Sequence, residues 1–324
     1  MMYVVGVDVG TGSVRAALVK LDGELVKMAT HPIQTWNTKP GFYHQSSDDI
    51  WSSCCKVIRE VVGDVSADSV RGLGFDATCS LVALDQNGSP LTLSPNGENN
   101  QNVILWMDHR ADKEAAAVNA TGHPVLRSVG GKISLEMQVP KLMWLKKNLP
   151  ETWKNVGTFY DLPDFLTWKS TGAESRSLCS VVCKWTYEVG VEGVQGWNKQ
   201  FFSQVELSDL LANDCKKIGR VVLPPGAPCG SGLHGEAAQQ LGLRVGTPVA
   251  TSIIDAHAGG LGMVGCTVPG MPTDFCSRLS LICGTSTCHM ALSQGPVSVA
   301  GVWGPYYSAM VAGLWLSEGG QSAS

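Results

Sequence analysis

The chain has 324 residues, 44% of them hydrophobic, with a net charge of −4. That length is enough for two domains, and scattered Lys and Arg in a slightly acidic chain leave no basic footprint for nucleic acid. No apolar stretch reaches the length of a membrane span, and Met1-Met2-Tyr3 runs into a strand without a signal-peptide pattern. The 11 cysteines are odd in number and irregular in spacing, so reduced thiols in a cytoplasmic protein are expected. Cys54-Cys55, Cys179/Cys183 and Cys283/Cys288 are the close pairs; none has a partner pair at zinc-site spacing.

Val4 to Val9 reads as a strand that carries Asp8 into the turn Gly10-Thr11-Gly12-Ser13. Val14 to Val19 returns as a second strand and ends at Asp22-Gly23, which makes a hairpin. Thr38-Lys39-Pro40-Gly41 is a turn. Ser46 to Asp49 caps a helix over about Ile50–Val62. Val70 to Phe75 is a strand delivering Asp76-Ala77-Thr78-Cys79-Ser80, and Leu81 to Leu84 is another. Asn96 to Asn102 is a loop and Val103 to Trp106 a strand. Helices are expected over Ala111–Ala120, over Pro140–Leu149 with Pro150 closing it, and over Tyr160–Lys169. Trp197 to Leu211 contains helical segments, and Pro224 to Pro228 is a rigid linker. Pro248 to Ile254 leads to Asp255, and Leu279 to Leu316 is rich in strands. This is an α/β pattern.

The turn after Asp8 has two readings from its residues alone. One is an ordinary hairpin. The other is a phosphate site: glycines admit backbone N–H groups close to phosphate, Thr11 and Ser13 add hydroxyls, and Asp8 holds Mg²⁺ through water. The strand end Ile253-Ile254-Asp255 repeats the pattern, and Gly284-Thr285-Ser286 repeats the glycine-hydroxyl turn. Two lobes with such elements would face one nucleotide from both sides. The turn lacks the third glycine and the strand-to-helix context of a dinucleotide site.

Several stretches resemble one family. Asp8-Val9-Gly10-Thr11-Gly12-Ser13-Val14-Arg15 is similar to the first phosphate motif of the FGGY carbohydrate kinases. Trp106-Met107-Asp108-His109-Arg110 resembles that family's Trp-x-Asp-x-Arg segment. Asp255-Ala256-His257-Ala258-Gly259-Gly260 resembles the opening of its second domain, Cys283-Gly284-Thr285-Ser286 its Gly-Thr-Ser turn, and Gly304 to Ser322 a further segment. The likeness runs along the whole chain in the family's order. Ser180 to Trp185 with Asp76 to Ser80 looks most like the ribulokinase branch.

The resemblance implies a two-lobed α/β architecture of the actin, hexokinase and Hsp70 kind (ribonuclease H-like), with the second lobe truncated. It places an N-terminal kinase domain at 1–252 and the start of a C-terminal one at 253–324. It implies ATP and Mg²⁺ as cofactors and phosphorylation of a sugar hydroxyl, most naturally a ketopentose such as D-ribulose. Asp255 is the expected base, with a helix N-cap as its plainer role. Gly10, Thr11, Gly12, Ser13 and Arg15 would cradle phosphate from one lobe, and Gly284, Thr285 and Ser286 from the other. For these two, a salt bridge at Arg15 and a tight turn at Gly284 are the plain alternatives. Thr78, Cys79, Trp106, Asp108, Arg110, Lys184 and Asp255 itself would bind the sugar, with a surface lysine as the alternative at Lys184. His109 and His257 receive no catalytic role.

The family pattern continues past Gln321-Ser322 into an adenosine-binding segment, so this shortened chain is expected to have weak activity or none. The strands Leu279–Ile282 and Ala309–Leu316 are expected to lack part of their cover. A non-catalytic sugar-binding module is the competing reading, and an ATPase of the actin type is a third. The sequence leaves homo-oligomerisation open.

Overall fold

The computed structural model describes residues 1–191, 194–283 and 286–322. Strands β1 (Tyr3–Val9), β2 (Ser13–Lys20) and β3 (Leu25–Pro32) form an antiparallel meander. Alternation puts Val5, Val7, Val9, Val14, Ala16 and Leu18 on one buried face. The expected turn at Pro40-Gly41 joins the hairpin β4 (Trp36–Lys39) and β5 (Phe42–Gln45). Helix α1 (Ser47–Val62) starts as the sequence predicts: the Ser46 side chain accepts from the Asp49 N–H, and Asp48 and Asp49 favour the first turn. Its Ile50, Cys54, Val57, Ile58 and Val61 side chains are buried with the valines of the meander in one core.

β6 (Val70–Ala77) pairs parallel to β1, and β7 (Leu81–Asp85) follows. β8 (Val103–Ile104) is shorter than the strand expected there. The chain bends after it, with the Asp108 N–H turned back onto the Leu105 carbonyl at 3.2 Å. After α2 (Asp112–Ala120), helix α3 (Gln138–Asn148) ends near its predicted limit. Pro150, expected to close that helix, opens α4 (Pro150–Asn155) instead. A first helical position has no use for the missing N–H. Tyr160-Asp161, read as the start of a helix, ends strand β9 (Val156–Asp161) against β7. Helix α5 (Leu162–Thr171) begins one residue later and stops at Gly172, whose φ is 72°.

Next come β10 (Ser175–Ser177), α6 (Leu178–Lys184), β11 (Glu188–Val191), β12 (Val194–Gly196) and α7 (Lys199–Gln204). The short α8 (Ala212–Cys215), β13 (Val221–Leu223) and α9 (Gly235–Leu241) lead on. The Pro224–Pro228 segment is not a free linker. The Gly226 N–H donates to Thr251 at 2.9 Å, the Thr251 N–H donates back to Ala227 at 2.7 Å, and Cys229 donates to Val249 at 2.8 Å.

β14 (Ile253–Ile254) runs straight into α10 (Asp255–Gly265), and β15 (Leu279–Cys283), β16 (Ser286–Ser293), β17 (Trp303–Tyr307) and β18 (Trp315–Ser322) follow. The described residues form a first sheet ordered β14-β6-β1-β2-β3, a second ordered β4-β5-β8-β7-β9, and an antiparallel third ordered β15-β16-β18-β17. The segment expected to open the second lobe therefore begins as an edge strand of the first sheet, parallel to β6.

A second core joins Leu81, Phe159, Cys179, Val181 and Phe201 to Met290, Tyr306, Met310 and Leu316, so the last sheet packs on the body of the chain. Gly260 permits the approach: a Cβ there would meet the Met290 sulfur at 2.8 Å and the Met310 sulfur at 3.0 Å. Of the two segments expected to lack cover, one does. Leu279 and Leu281 are 59% and 44% exposed, whereas Ala309, Met310 and Leu316 are buried by that packing.

Candidate active site

Parallel pairing brings three acids to one edge of the first sheet. Asp8 lies opposite Asp76, and Asp76 opposite Ile253, so β1, β6 and β14 all end together with Asp255 one residue on. Burial, then the carboxylates of Asp8 and Asp255, push Asp76 up to about 9. Asp255 is the first residue of α10 and accepts from the Ala256 N–H at 2.8 Å. Burial pushes it up to about 6, with Asp8 and Glu318 adding to the rise and Lys184 opposing it. A carboxylate held there is ionised at neutral pH yet basic enough to take a proton. Asp76 was not among the site residues expected from sequence. Its signal was present, an apolar strand ending in an acid, but only the pairing of β6 beside β1 gives it meaning.

The turn after Asp8 is held from several sides. The Gly10 N–H donates to the Ser13 carbonyl at 3.0 Å, the Gln45 amide donates to the Thr11 carbonyl at 2.7 Å, and the Ile33 N–H donates to the Gly12 carbonyl at 3.2 Å. Gly12 is exposed, and a Cβ built on it would meet nothing within 4 Å. Neither Gly10 nor Gly12 has a positive φ, so no backbone strain demands glycine there; what Gly12 leaves is open space above the turn. Ser13 opens β2. Arg15 pairs with Asp8 at 2.7 Å, and both side chains are partly exposed.

Trp106 bridges the turn to the second sheet, its Nε1–H donating to Thr11 Oγ1 at 3.0 Å. Its loop is fixed from below: the Trp106 N–H donates to Ser80 Oγ at 3.2 Å, and the buried Lys141 ammonium donates to the Leu105 and Trp106 carbonyls at 2.8 and 3.3 Å. Burial lowers that lysine to about 8. Thr78 is buried, with its hydroxyl 3.1 Å from Ser80 Oγ. Cys79 is held by the Gln138 amide, which donates to its carbonyl at 3.1 Å and also to Asp161 at 2.9 Å. Desolvation pushes the Cys79 thiol up to about 12.

Asp108 and Arg110 are placed differently from what the resemblance implies. Arg110 donates to Asp108 through Nε and Nη2, both at 2.7 Å, and to the Leu93 carbonyl at 2.9 Å. Asp108 also accepts from the Tyr43 N–H at 2.7 Å. His44 lies 2.7 Å from Arg110, and the guanidinium carbon lies 4.5 Å from the Phe42 ring centroid and 5.0 Å from that of Trp144, two rings that meet edge to face. Both side chains of the pair are 0% exposed. Their hydrogen-bonding groups are taken up by each other, by backbone and by His44.

Lys184 is no surface lysine. At the end of α6 its side chain is 8% exposed, its ammonium lies 4.3 Å over the Trp303 ring and 3.6 Å from Glu318 Oε1. Glu318, on β18, is also 3.4 Å from His257 Nε2. Burial alone would raise the Glu318 carboxyl, but Lys184 and His257 overcome it and hold it below the usual range. Burial works against Lys184 too and is the largest single influence, but Glu318, Cys79, Cys183 and Tyr306 together outweigh it, so the ammonium is held well above its ordinary value. Among the described residues, Glu318 Oε2 and the Tyr306 hydroxyl have no hydrogen-bond partner. Buried polar atoms without partners are uncommon in native folds, and each calls for an explanation. Glu318 was missed in the sequence, where Ser317-Glu318-Gly319 looks like an exposed strand end.

Asp8 and Asp76, paired across adjacent strands beside the open turn, bring together hard oxygen atoms that suit Mg²⁺, and a divalent cation there would draw the proton off Asp76. Gly284 and Thr285 lie outside the described residues, and Ser286 enters as the first residue of β16.

Solved structures share this α/β fold. The chain superposes on a xylulose kinase from Rhodospirillum rubrum with a TM-score of 0.82 at 21% identity, over 99% of this chain and 61% of that one. A Plasmodium falciparum glycerol kinase with ADP gives 0.73 at 13% identity, over 99% and 61%. The model of the FGGY family of carbohydrate kinases, N-terminal domain, matches residues 3–262, and the C-terminal domain model matches 279–324. The chain belongs to the FGGY family of carbohydrate kinases. It is 53% identical to a human FGGY carbohydrate kinase domain-containing protein over 99% of its own length and 59% of the human one, and 44% identical to a D-ribulokinase of Saccharomyces cerevisiae over 99% and 48%. It thus spans about half to three fifths of these relatives. Among the described residues no helix is long and apolar enough to cross a membrane.

Proposed function

We propose that this protein transfers the γ-phosphoryl group of ATP to a primary hydroxyl of a ketopentose, with D-ribulose giving D-ribulose 5-phosphate. The observation that carries the reading is the meeting of Asp8, Asp255 and the Lys184–Glu318 pair around one joint. The 44% identity to a D-ribulokinase supports the choice of sugar.

Asp255 takes the hydroxyl proton as the oxygen attacks phosphorus and the bond to ADP breaks. Asp8, with Asp76 beside it, would hold the Mg²⁺, which would neutralise phosphate charge. The turn from Gly10 to Ser13 receives the transferred group in the space above Gly12, with Arg15 swinging from Asp8 to phosphate oxygens. Gly284, Thr285 and Ser286 serve the same group from the other lobe. Trp106 gives the sugar an apolar wall, Lys184, held by Glu318 Oε1, donates to its hydroxyls, and Thr78 and Cys79 floor the pocket. Asp108 and Arg110 act at one remove, by fixing the loop that carries Trp106. We place the protein in the cytoplasm, a reading that its eleven free thiols support. We also place the lobe boundary near residue 253.

Sugar-dependent ADP release by the whole protein tests this, with D-ribulose, D-xylulose, ribitol and glycerol as acceptors. D-ribulose is expected to give the highest kcat/KM, and Asp255→Asn to lower kcat by about 10²–10⁴-fold with sugar affinity kept. The 324 residues alone are expected to bind the sugar and to turn over ATP slowly. Sugar-independent ADP release, or full activity in Asp255→Asn, contradicts the kinase reading. Sugar binding by the whole protein without sugar-dependent ADP release favours a binding module.

A further inference from the structure

Below the Lys184–Glu318 pair lies a group of soft ligands that the phosphoryl-transfer reading does not use. Cys179 and Cys183 sit one turn apart on α6, so both thiols leave the same face of the helix. His257 projects from α10, 74 residues further along, and is 0% exposed. The ligand atoms of these three buried residues all lie within 4.8 Å of one another. Cys183 Sγ is 3.5 Å from His257 Nε2, and Glu318 Oε2 is 3.4 Å from the same nitrogen.

Those separations are metal-like. With zinc–sulfur bonds of 2.3 Å and zinc–nitrogen bonds near 2.0 Å, the edge of a tetrahedral site is about 3.5 Å, and a nitrogen–oxygen edge is slightly shorter. The fourth donor carries the independent observation: Glu318 is 4% exposed, and its Oε2 points toward the cluster with no hydrogen-bond partner among the described residues. We propose that Cys179, Cys183, His257 and Glu318 form a binding site for a soft divalent cation of the zinc type, which ties α6 to α10 and β18.

The charges balance. Binding displaces the two thiol protons, so two thiolates, one carboxylate and a divalent ion sum to −1, and the adjacent Lys184 ammonium brings the site to neutrality. The sequence hid the site because the thiols lack a second close pair; the fold supplies the missing ligands from residues 257 and 318. An occupied site draws Glu318 Oε2 inward and bonds the first lobe directly to the last sheet.

The test is a cobalt(II) titration of the 324-residue chain in which exposed Cys266, Cys276 and Cys283 are changed to serine to remove surface thiols. One equivalent is expected to give the intense visible bands of tetrahedral cobalt with thiolate charge-transfer absorption. Zinc is expected to bleach them by competition. Cys179→Ser and Cys183→Ser should each weaken cobalt binding at least tenfold and reduce the charge-transfer intensity. If either variant folds poorly, X-ray absorption on the zinc-loaded parent decides, and two sulfur neighbours are expected. A pale octahedral spectrum at one equivalent, bands unchanged in folded Cys179→Ser and Cys183→Ser, or no sulfur neighbour around zinc would overturn the site.

Discussion

Two buried ion pairs, each with a histidine at its side, are built from similar parts and finished differently. Around Asp108–Arg110 the carboxylate accepts from the guanidinium and from backbone, the guanidinium donates to a carbonyl, and two aromatic rings lie beside it. Around Lys184–Glu318 the ions stand 3.6 Å apart, and Glu318 Oε2 and the Tyr306 hydroxyl lack partners. A buried charge with every partner in place holds a loop. A buried charge left with unmet capacity, next to Asp255, is the place we propose for the sugar.

The largest expected difference is in stability at the closed pair. Arg110→Met strands Asp108 in a site of zero exposure, and removing one partner of such a pair costs about 3–5 kcal/mol. Urea denaturation measures this, and the folded fraction should keep its sugar affinity within twofold. A loss of binding without a loss of stability would erase the distinction between the pairs.

Next is a pH effect at the same pair. Burial, then Arg110, lowers His44 from 6.5 to about 4. Because its folded value lies below its unfolded one, the stability it contributes is present above about pH 6.5 and is lost as pH falls toward about 4. The full loss is roughly 3 kcal/mol. Unfolding free energies measured across that window should slope accordingly, and His44→Gln should flatten the slope by about one proton.

Lys184→Met comes third in stability, at about 1–3 kcal/mol, because Glu318 keeps His257 beside it. In sugar binding the same variant should have the larger effect, at least tenfold, read by calorimetry. The smallest effect is Trp106→Phe, which removes the indole bond to Thr11 and should cost about 1 kcal/mol with a modest loss of sugar affinity.

Local chemistry in the chain announces part of this arrangement. The Asp8 hairpin, the Ser46 cap of α1 and the strand end before Asp255 follow from alternation, capping and turn residues. What stays hidden depends on distant packing. Glu318 sits between glycine and serine on β18, and only the docking of that strand near α6 buries it. Asp76 needs β6 laid beside β1 to become the partner of Asp8. The Asp108-x-Arg110 spacing looks ready for a ligand until His44, Leu93 and the rings of Phe42 and Trp144 close around it.

The most direct measurement is a calorimetric titration of D-ribulose into the chain, Lys184→Met and Arg110→Met, each held below its unfolding transition. The account predicts equal affinity for the chain and Arg110→Met and at least a tenfold loss in Lys184→Met. Unchanged binding in Lys184→Met, with binding abolished in folded Arg110→Met, would contradict it.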